Sequence, residues 1–173
     1  MRHYPSRSAL AALMAVLTLV ALGIGFAIGK SAGEVNGAAP TSLLLVAEAL
    51  KLISAATGFA IAWRSRETPR GLRAAGLVGN LLIAAAGVVG TIAILRANPP
   101  LGALVTPLAL AGLTLVAVWL VAMGRGLSAR MLTGLAAALA LASVVAQTLP
   151  SIGLLCGLIA FVCWVLLSRR IVD

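Results

Sequence analysis

Apolar residues run along the chain in six long stretches, roughly 8–29, 41–63, 73–95, 101–123, 131–149 and 151–168. A helix needs about 20 apolar residues to cross the hydrocarbon of a bilayer, and these stretches reach or approach that length. The breaks between them are KSAGEVNGAAP, RSRETPRGLR, RANPP, GRGLSAR and the single Pro150. None is long enough for a soluble domain, so consecutive helices should run antiparallel as neighbours. The pattern predicts one all-α domain over 1–173, a bundle of six transmembrane helices with short loops. Read as one helix, residues 131–168 would extend about 57 Å, nearly twice the hydrocarbon thickness. A hairpin at Pro150 is therefore expected. MRHYPSR resembles the basic start of a signal peptide, but the apolar stretch behind it exceeds the usual 7–15 residues. It reads as a retained helix.

Composition supports this reading. Of 173 residues 62 % are hydrophobic and 10 % charged, and mean hydropathy is +1.14. A soluble domain is nearer half apolar and a quarter charged. Aromatics are scarce, and Ala, Gly and Leu dominate, a bias that goes with a bacterial source. Small residues let helices approach closely in lipid. The net charge of +9 does not indicate nucleic-acid binding, because the basic residues sit in short clusters between apolar stretches, where they set topology. Alternating the flanks puts Arg2, Arg7, Arg64, Arg66, Arg70, Arg73, Arg125, Arg130, Arg169 and Arg170 on one side. Lys30 and Arg96 fall on the other, and Lys51 lies inside a helix. This asymmetry places both termini in the cytoplasm, in a bacterial cytoplasmic membrane, and favours an even number of crossings.

The second stretch carries the one charged pair within an apolar run, LLLVAEALKLISAATG. On a helical wheel Ala47, Glu48, Lys51, Ser54, Ala55, Gly58 and Ala62 share a face. Most bulky residues, Leu45, Val46, Leu50 and Ile53 among them, lie on the other. In lipid the small and polar stripe should face the protein interior. Two charges at a helix centre cost about 5–7 kcal/mol on the insertion scale, against about 3–5 returned by the Leu, Ile, Val and Phe residues of the stretch. Something must relieve them. Glu48 and Lys51 can pair at i, i+3, or Glu48 can carry a proton, since desolvation disfavours the charged form. The third stretch offers a matching face of Arg73, Gly76, Asn80, Ala84, Gly87 and Thr91. Aligned antiparallel, Glu48 falls level with about Val88 and Asn80 with about Ala56. Thr91 should then reach toward Glu48, and Asn80 toward Ser54 or Lys51. The expected polar seam comprises Glu48, Lys51, Ser54, Asn80 and Thr91. It serves either to fix helix register or to bind a proton, ion or ligand.

Other features are architectural. Gly25-x-x-x-Gly29 and Gly153-x-x-x-Gly157 are close-packing motifs, alongside Gly76 and Gly87. They can pack within the chain or against a partner. Pro107 should kink the fourth helix by freeing a carbonyl four residues back, with Thr106 beside it to bond that carbonyl. Gln147 is placed to cap the Pro150 turn or face the headgroups. Trp63, Trp119 and Trp164 fall toward the cytoplasmic ends of their helices, the position of interfacial anchors. Cys156 and Cys163 are about 10 Å apart along a helix, beyond disulfide reach, and read as small packing residues.

The chemistry the chain lacks excludes several classes. Its one histidine, His3, lies in the N-terminal tail, which removes the axial ligands of a membrane haem. There is no H-E-x-x-H, phosphate-binding loop or Ser/His/Asp set. The four acidic residues, Glu34, Glu48, Glu67 and Asp173, are too dispersed to form a metal-binding cluster. No cofactor and no enzymatic activity are expected.

RGLRAAGLVGNLL at the third stretch, and VWLVAMGRGLSARMLTGLAA joining the fourth to the fifth, resemble a family of small bacterial membrane proteins of unknown function. The resemblance implies six helices and no activity. In size and helix count the chain is also similar to the substrate-binding subunits of energy-coupling-factor vitamin transporters. Two functions stay open. One is an accessory or structural subunit, packing through Gly/Ala faces into a homo-oligomer or larger membrane complex. The other is a small transporter or ligand-binding subunit centred on Glu48, Lys51 and Asn80.

Overall fold

The computed structural model describes residues 6–34, 40–126 and 150–170, with side chains for 6–31, 40–123 and 155–169. These residues form helices α1 (Arg7–Glu34), α2 (Thr41–Arg64), α3 (Arg70–Leu95), α4 (Pro99–Gly102), α5 (Val105–Gly126) and α6 (Pro150–Arg170). There is no strand among them. Four spans, Arg7–Ser31, Thr41–Arg64, Arg70–Leu95 and Pro99–Met123, are long and apolar enough to cross a membrane. The expected helix at 131–149, Gln147 and the turn leading into Pro150 lie outside the described residues, and so does the surrounding of Gly153.

Prolines set the helix starts. Pro40 and Pro69 stand at the N-cap positions of α2 and α3 with extended backbone, and Pro150 opens α6. A proline is tolerated there because the first N–H groups of a helix have no intrahelical acceptor. The fourth stretch departs from expectation. Instead of one helix kinked at Pro107 it is divided, with a turn at residues 103–104 between α4 and α5. Pro107 is the third residue of α5, inside the first turn, where its missing N–H breaks no helical bond. Asn98 caps α4, its Oδ1 accepting from the Leu101 N–H at 3.0 Å.

The helices form a row in the order α6, α1, α2, α3, α5. Neighbours are antiparallel. Leu52 of α2 lies against Gly87 of α3, while Gly58 lies against Asn80. Trp119 of α5 meets Gly76 of α3, and Gly112 meets Ile83. Leu22 of α1 covers Gly157 of α6, and Leu10 and Leu167 share a cluster at the other end. That cluster joins Leu10, Ala11, Ile61, Ala62, Trp119, Met123 and Leu167. The start of α1, the ends of α2 and α6 and the second half of α5 therefore meet at one end of the bundle. Arg7 and Glu67 form an ion pair at that same end, tying α1 to the α2–α3 loop. Ser65 in this loop is fully buried, its hydroxyl donating to the Ile61 carbonyl at 2.8 Å.

Trp119 is not an interfacial anchor. It is completely buried, because Gly76 opposite leaves room for the indole: a Cβ at Gly76 would stand 2.5 Å from its Cγ. Trp63 does lie open, 65 % exposed, with its ring stacked on Phe59. Trp164 packs against the edge of the cluster.

One contact in the row brings two helix backbones together at glycines the pattern of small residues did not single out. A Cβ on Gly79 would fall 2.7 Å from the Gly112 carbonyl oxygen, and a Cβ on Gly112 would fall 2.7 Å from that of Gly79. The two backbones touch. Outward, large apolar side chains such as Val16, Phe26, Leu81 and Leu155 are exposed along the helices. A water-soluble monomer rarely carries apolar surface of this extent, and the arrangement is that of an α-helical membrane protein. Gly79→Ala should destabilise the fold by about 1–3 kcal/mol through overpacking, read as a lowered unfolding midpoint in detergent. Gly71→Ala, where the added methyl meets nothing within 4 Å, should leave it unchanged.

Candidate functional site

The α2–α3 interface is where polar groups enter the apolar bundle. Each helix offers glycine notches, and the partner fills them. Leu52 sits in the notch at Gly87, the Glu48 carboxyl in the notch at Gly90, and Asn80 of α3 in the notch at Gly58 of α2. The stripe expected on α2 is the enclosed one. Glu48, Ala55, Gly58 and Ala62 are buried, and Ala47, Lys51 and Ser54 half-buried. Val46 and Ile53 on the opposite face are exposed.

Glu48 and Lys51 pair, with the Lys51 ammonium donating to Glu48 Oε1 at 2.7 Å. Side chains on a helix lean toward its N-terminus, so the lysine reaches back one turn onto the acid. Their environments differ. The Glu48 side chain is 11 % exposed and that of Lys51 35 %. Glu48 Oε2 is enclosed and has no hydrogen-bond partner among the described residues. It lies on the backbone of α3, where a Cβ at Gly90 would stand 2.6 Å from both Oε2 and Cδ.

The remaining polar groups do not join this pair. Thr91 does not reach Glu48; its hydroxyl donates to the Gly87 carbonyl of its own helix at 2.9 Å. Asn80 does not reach Ser54 or Lys51; its amide donates to the Gly76 carbonyl at 2.7 Å. The register explains part of this. Glu48 is level with Gly90 and Asn80 with Gly58, two residues from the alignment by midpoints, a shift of about 3 Å. The helix backbone supplies the rest, since a carbonyl four residues back is always within reach of a Thr hydroxyl or Asn amide. The expected seam is thus two separate polar points, about 15 Å apart along α2.

Among the packing glycines, Gly76, Gly87 and Gly157 are filled by Trp119, Leu52 and Leu22. Positions of a Cβ on Gly25 or Gly29 meet no described atom within 4 Å. Gly58, on the stripe expected to face inward, is filled by Asn80, and Gly79, Gly90 and Gly112 do comparable work without having been foreseen. The available signal was a repeat in α3. Gly76 and Gly79 recur as Gly87 and Gly90 eleven residues on, a spacing of three turns that returns to one face. Among the described residues no three His, Cys, Asp or Glu side chains come together. Compared with models of known protein families, with curated proteins and with solved structures, the chain matches none.

Removing one partner of the pair should cost more than removing both. Lys51→Met leaves Glu48 enclosed without its one donor, a loss of about 1–3 kcal/mol. Adding Glu48→Gln should recover most of it. A double-mutant cycle of unfolding midpoints in detergent is expected to give a coupling between about 0.5 and 3 kcal/mol; additive losses would mean the two side chains act separately.

Proposed function

We propose that this protein is a six-helix subunit of the bacterial cytoplasmic membrane, with both termini in the cytoplasm. It acts without catalysis, as an accessory or structural component that packs through Gly/Ala-rich helix faces into a homo-oligomer or larger membrane complex. The observation that carries the reading is the contrast among its glycines. Gly58, Gly76, Gly79, Gly87, Gly90, Gly112 and Gly157 are each filled by a neighbour, whereas Gly25 and Gly29 meet no described atom. Between them Phe26 is 66 % exposed. In lipid a Gly-x-x-x-Gly face is favourable when another helix lies on it, because close backbone approach replaces looser contact with acyl chains. The exposed Gly face of α1 therefore suits a helix of another subunit.

Native mass spectrometry from mild detergent should find an assembly larger than one chain, and Gly25→Leu with Gly29→Leu should reduce it to monomer without lowering the unfolding midpoint. A wild type that is monomeric at every concentration, or variants that unfold, would count against the reading. The orientation has its own check in a background lacking Cys156 and Cys163. A membrane-impermeant thiol reagent on intact cells should label Pro100→Cys and spare Gly71→Cys, and the reverse pattern would invert the topology.

A further inference from the structure

Charge is divided unevenly between the two ends of the helix row. The end where α1 and α3 start and α2, α5 and α6 finish carries Arg7, Arg64, Arg66, Arg70, Arg73, Arg125, Arg169 and Arg170. Among the described residues Glu67 is the one acidic residue there, and Arg7 holds it. The opposite end carries Lys30, Arg96 and Glu34. The excess is densest around the α2–α3 loop, where four arginines fall within the ten residues 64–73.

The fold keeps this charge open. Arg66 and Arg70 are exposed and Arg73 is half-buried. None of these three guanidinium groups has a hydrogen bond or ion pair among the described residues. Two of them stand where a cation is disfavoured. Arg70 and Arg73 lie in the first turn of α3, at the positive end of the helix dipole, which favours an anion. That turn has no acidic residue, and its cap, Pro69, supplies no side-chain acceptor.

The level of the patch along the helix row identifies the partner. Trp63, 65 % exposed and stacked on Phe59, directly precedes Arg64. An open tryptophan at the end of a membrane-length helix sits at headgroup level, its ring in the boundary between headgroups and acyl chains. The arginines that follow it therefore stand at the level of the lipid phosphates. A guanidinium presents two parallel N–H donors to a phosphate. A nucleic acid or an acidic protein would meet the charge from the aqueous side and leave the indole uncovered.

We propose that the α2–α3 loop and the first turn of α3 form a docking surface for an anionic phospholipid, its phosphate held by Arg66 and Arg70 and its acyl chains lying against Trp63. Arg73 adds charge one turn further along α3. The uncompensated arginines at this end select an anionic over a zwitterionic headgroup. The surface serves whichever leaflet this end faces, and it is independent of the packing role proposed above.

The test titrates the full chain in mild detergent with phosphatidylglycerol, and with phosphatidylcholine of the same acyl chains, and reads bound lipid by native mass spectrometry. Phosphatidylglycerol should bind more tightly, and raising the ammonium acetate concentration should weaken it. One arginine near an anionic surface is worth about fivefold in binding, so Arg66→Gln with Arg70→Gln should weaken phosphatidylglycerol binding about 25-fold. Arg96→Gln, at the opposite end, should leave it unchanged. A second measurement needs no variant: phosphatidylglycerol with a photoreactive headgroup should cross-link the wild type within residues 63–73. Equal binding of the two lipids, equal phosphatidylglycerol binding by the wild type and the double variant, or cross-links confined to the Arg96 end would each overturn the proposal. Displacement of the lipid by inorganic phosphate at matched ionic strength would assign the arginines to a free anion and overturn the lipid as partner.

Discussion

A helix in hydrocarbon gains little by turning an apolar side chain toward a neighbouring helix, because the lipid is as apolar as the neighbour. What remains is the quality of contact, and contact improves as backbones approach. The row of helices depends on this at α3. Its Gly79 backbone touches that of Gly112 on α5, and its Gly87 and Gly90 admit Leu52 and Glu48 from α2. A methyl group at any of these positions would meet backbone or a filled notch. The glycines also account for the most enclosed side chains: Trp119 is fully buried because Gly76 faces it.

The same constraint decides how charge enters the bundle. Burying a carboxylate requires a partner, and the i, i+3 lysine supplies one without calling on another helix. It also requires space, which Gly90 provides. The two residues divide these needs. Glu48 is enclosed, and Lys51 is half-buried with its ammonium turned back onto the acid at 2.7 Å. At the opposite end of α2 the polar groups behave differently. Ser65 bonds to the helix end it closes, and Glu67 pairs with Arg7 outside the core. A pair so exposed contributes little to stability, but it joins the start of α1 and the α2–α3 loop, two segments that the alternation of basic flanks assigns to one side.

Much of the fold was legible because the signals are long. Runs of about twenty apolar residues specify helices whatever their neighbours do, and Pro40 and Pro69 mark two of the starts. The enclosed face of α2 was legible as well, since Glu48, Ala55, Gly58 and Ala62 recur at helical spacing. What depended on partners was not. Trp119 looked like an anchor because its position along the helix is visible in the sequence and the glycine opposite it is not. Pro107 looked like a kink because the break at residues 103–104, which moves it into a first turn, has no comparable marker. The site was legible as a pair and not as a network. An i, i+3 contact is fixed by helix geometry alone, whereas Thr91 and Asn80 had a choice between a distant side chain and a carbonyl one turn back.

That choice bears on what the interface can do. Had Thr91 turned toward α2, Glu48 would have gained a second donor, whereas Asn80, level with Gly58, lies too far along the helix to supply one. Each instead closes a bond within α3, leaving the carboxyl with one lysine and a glycine backbone. Local backbone bonding therefore does more than remove two members from the seam. It leaves Glu48 with Oε1 bonded to Lys51 alone and Oε2 against the Gly90 backbone.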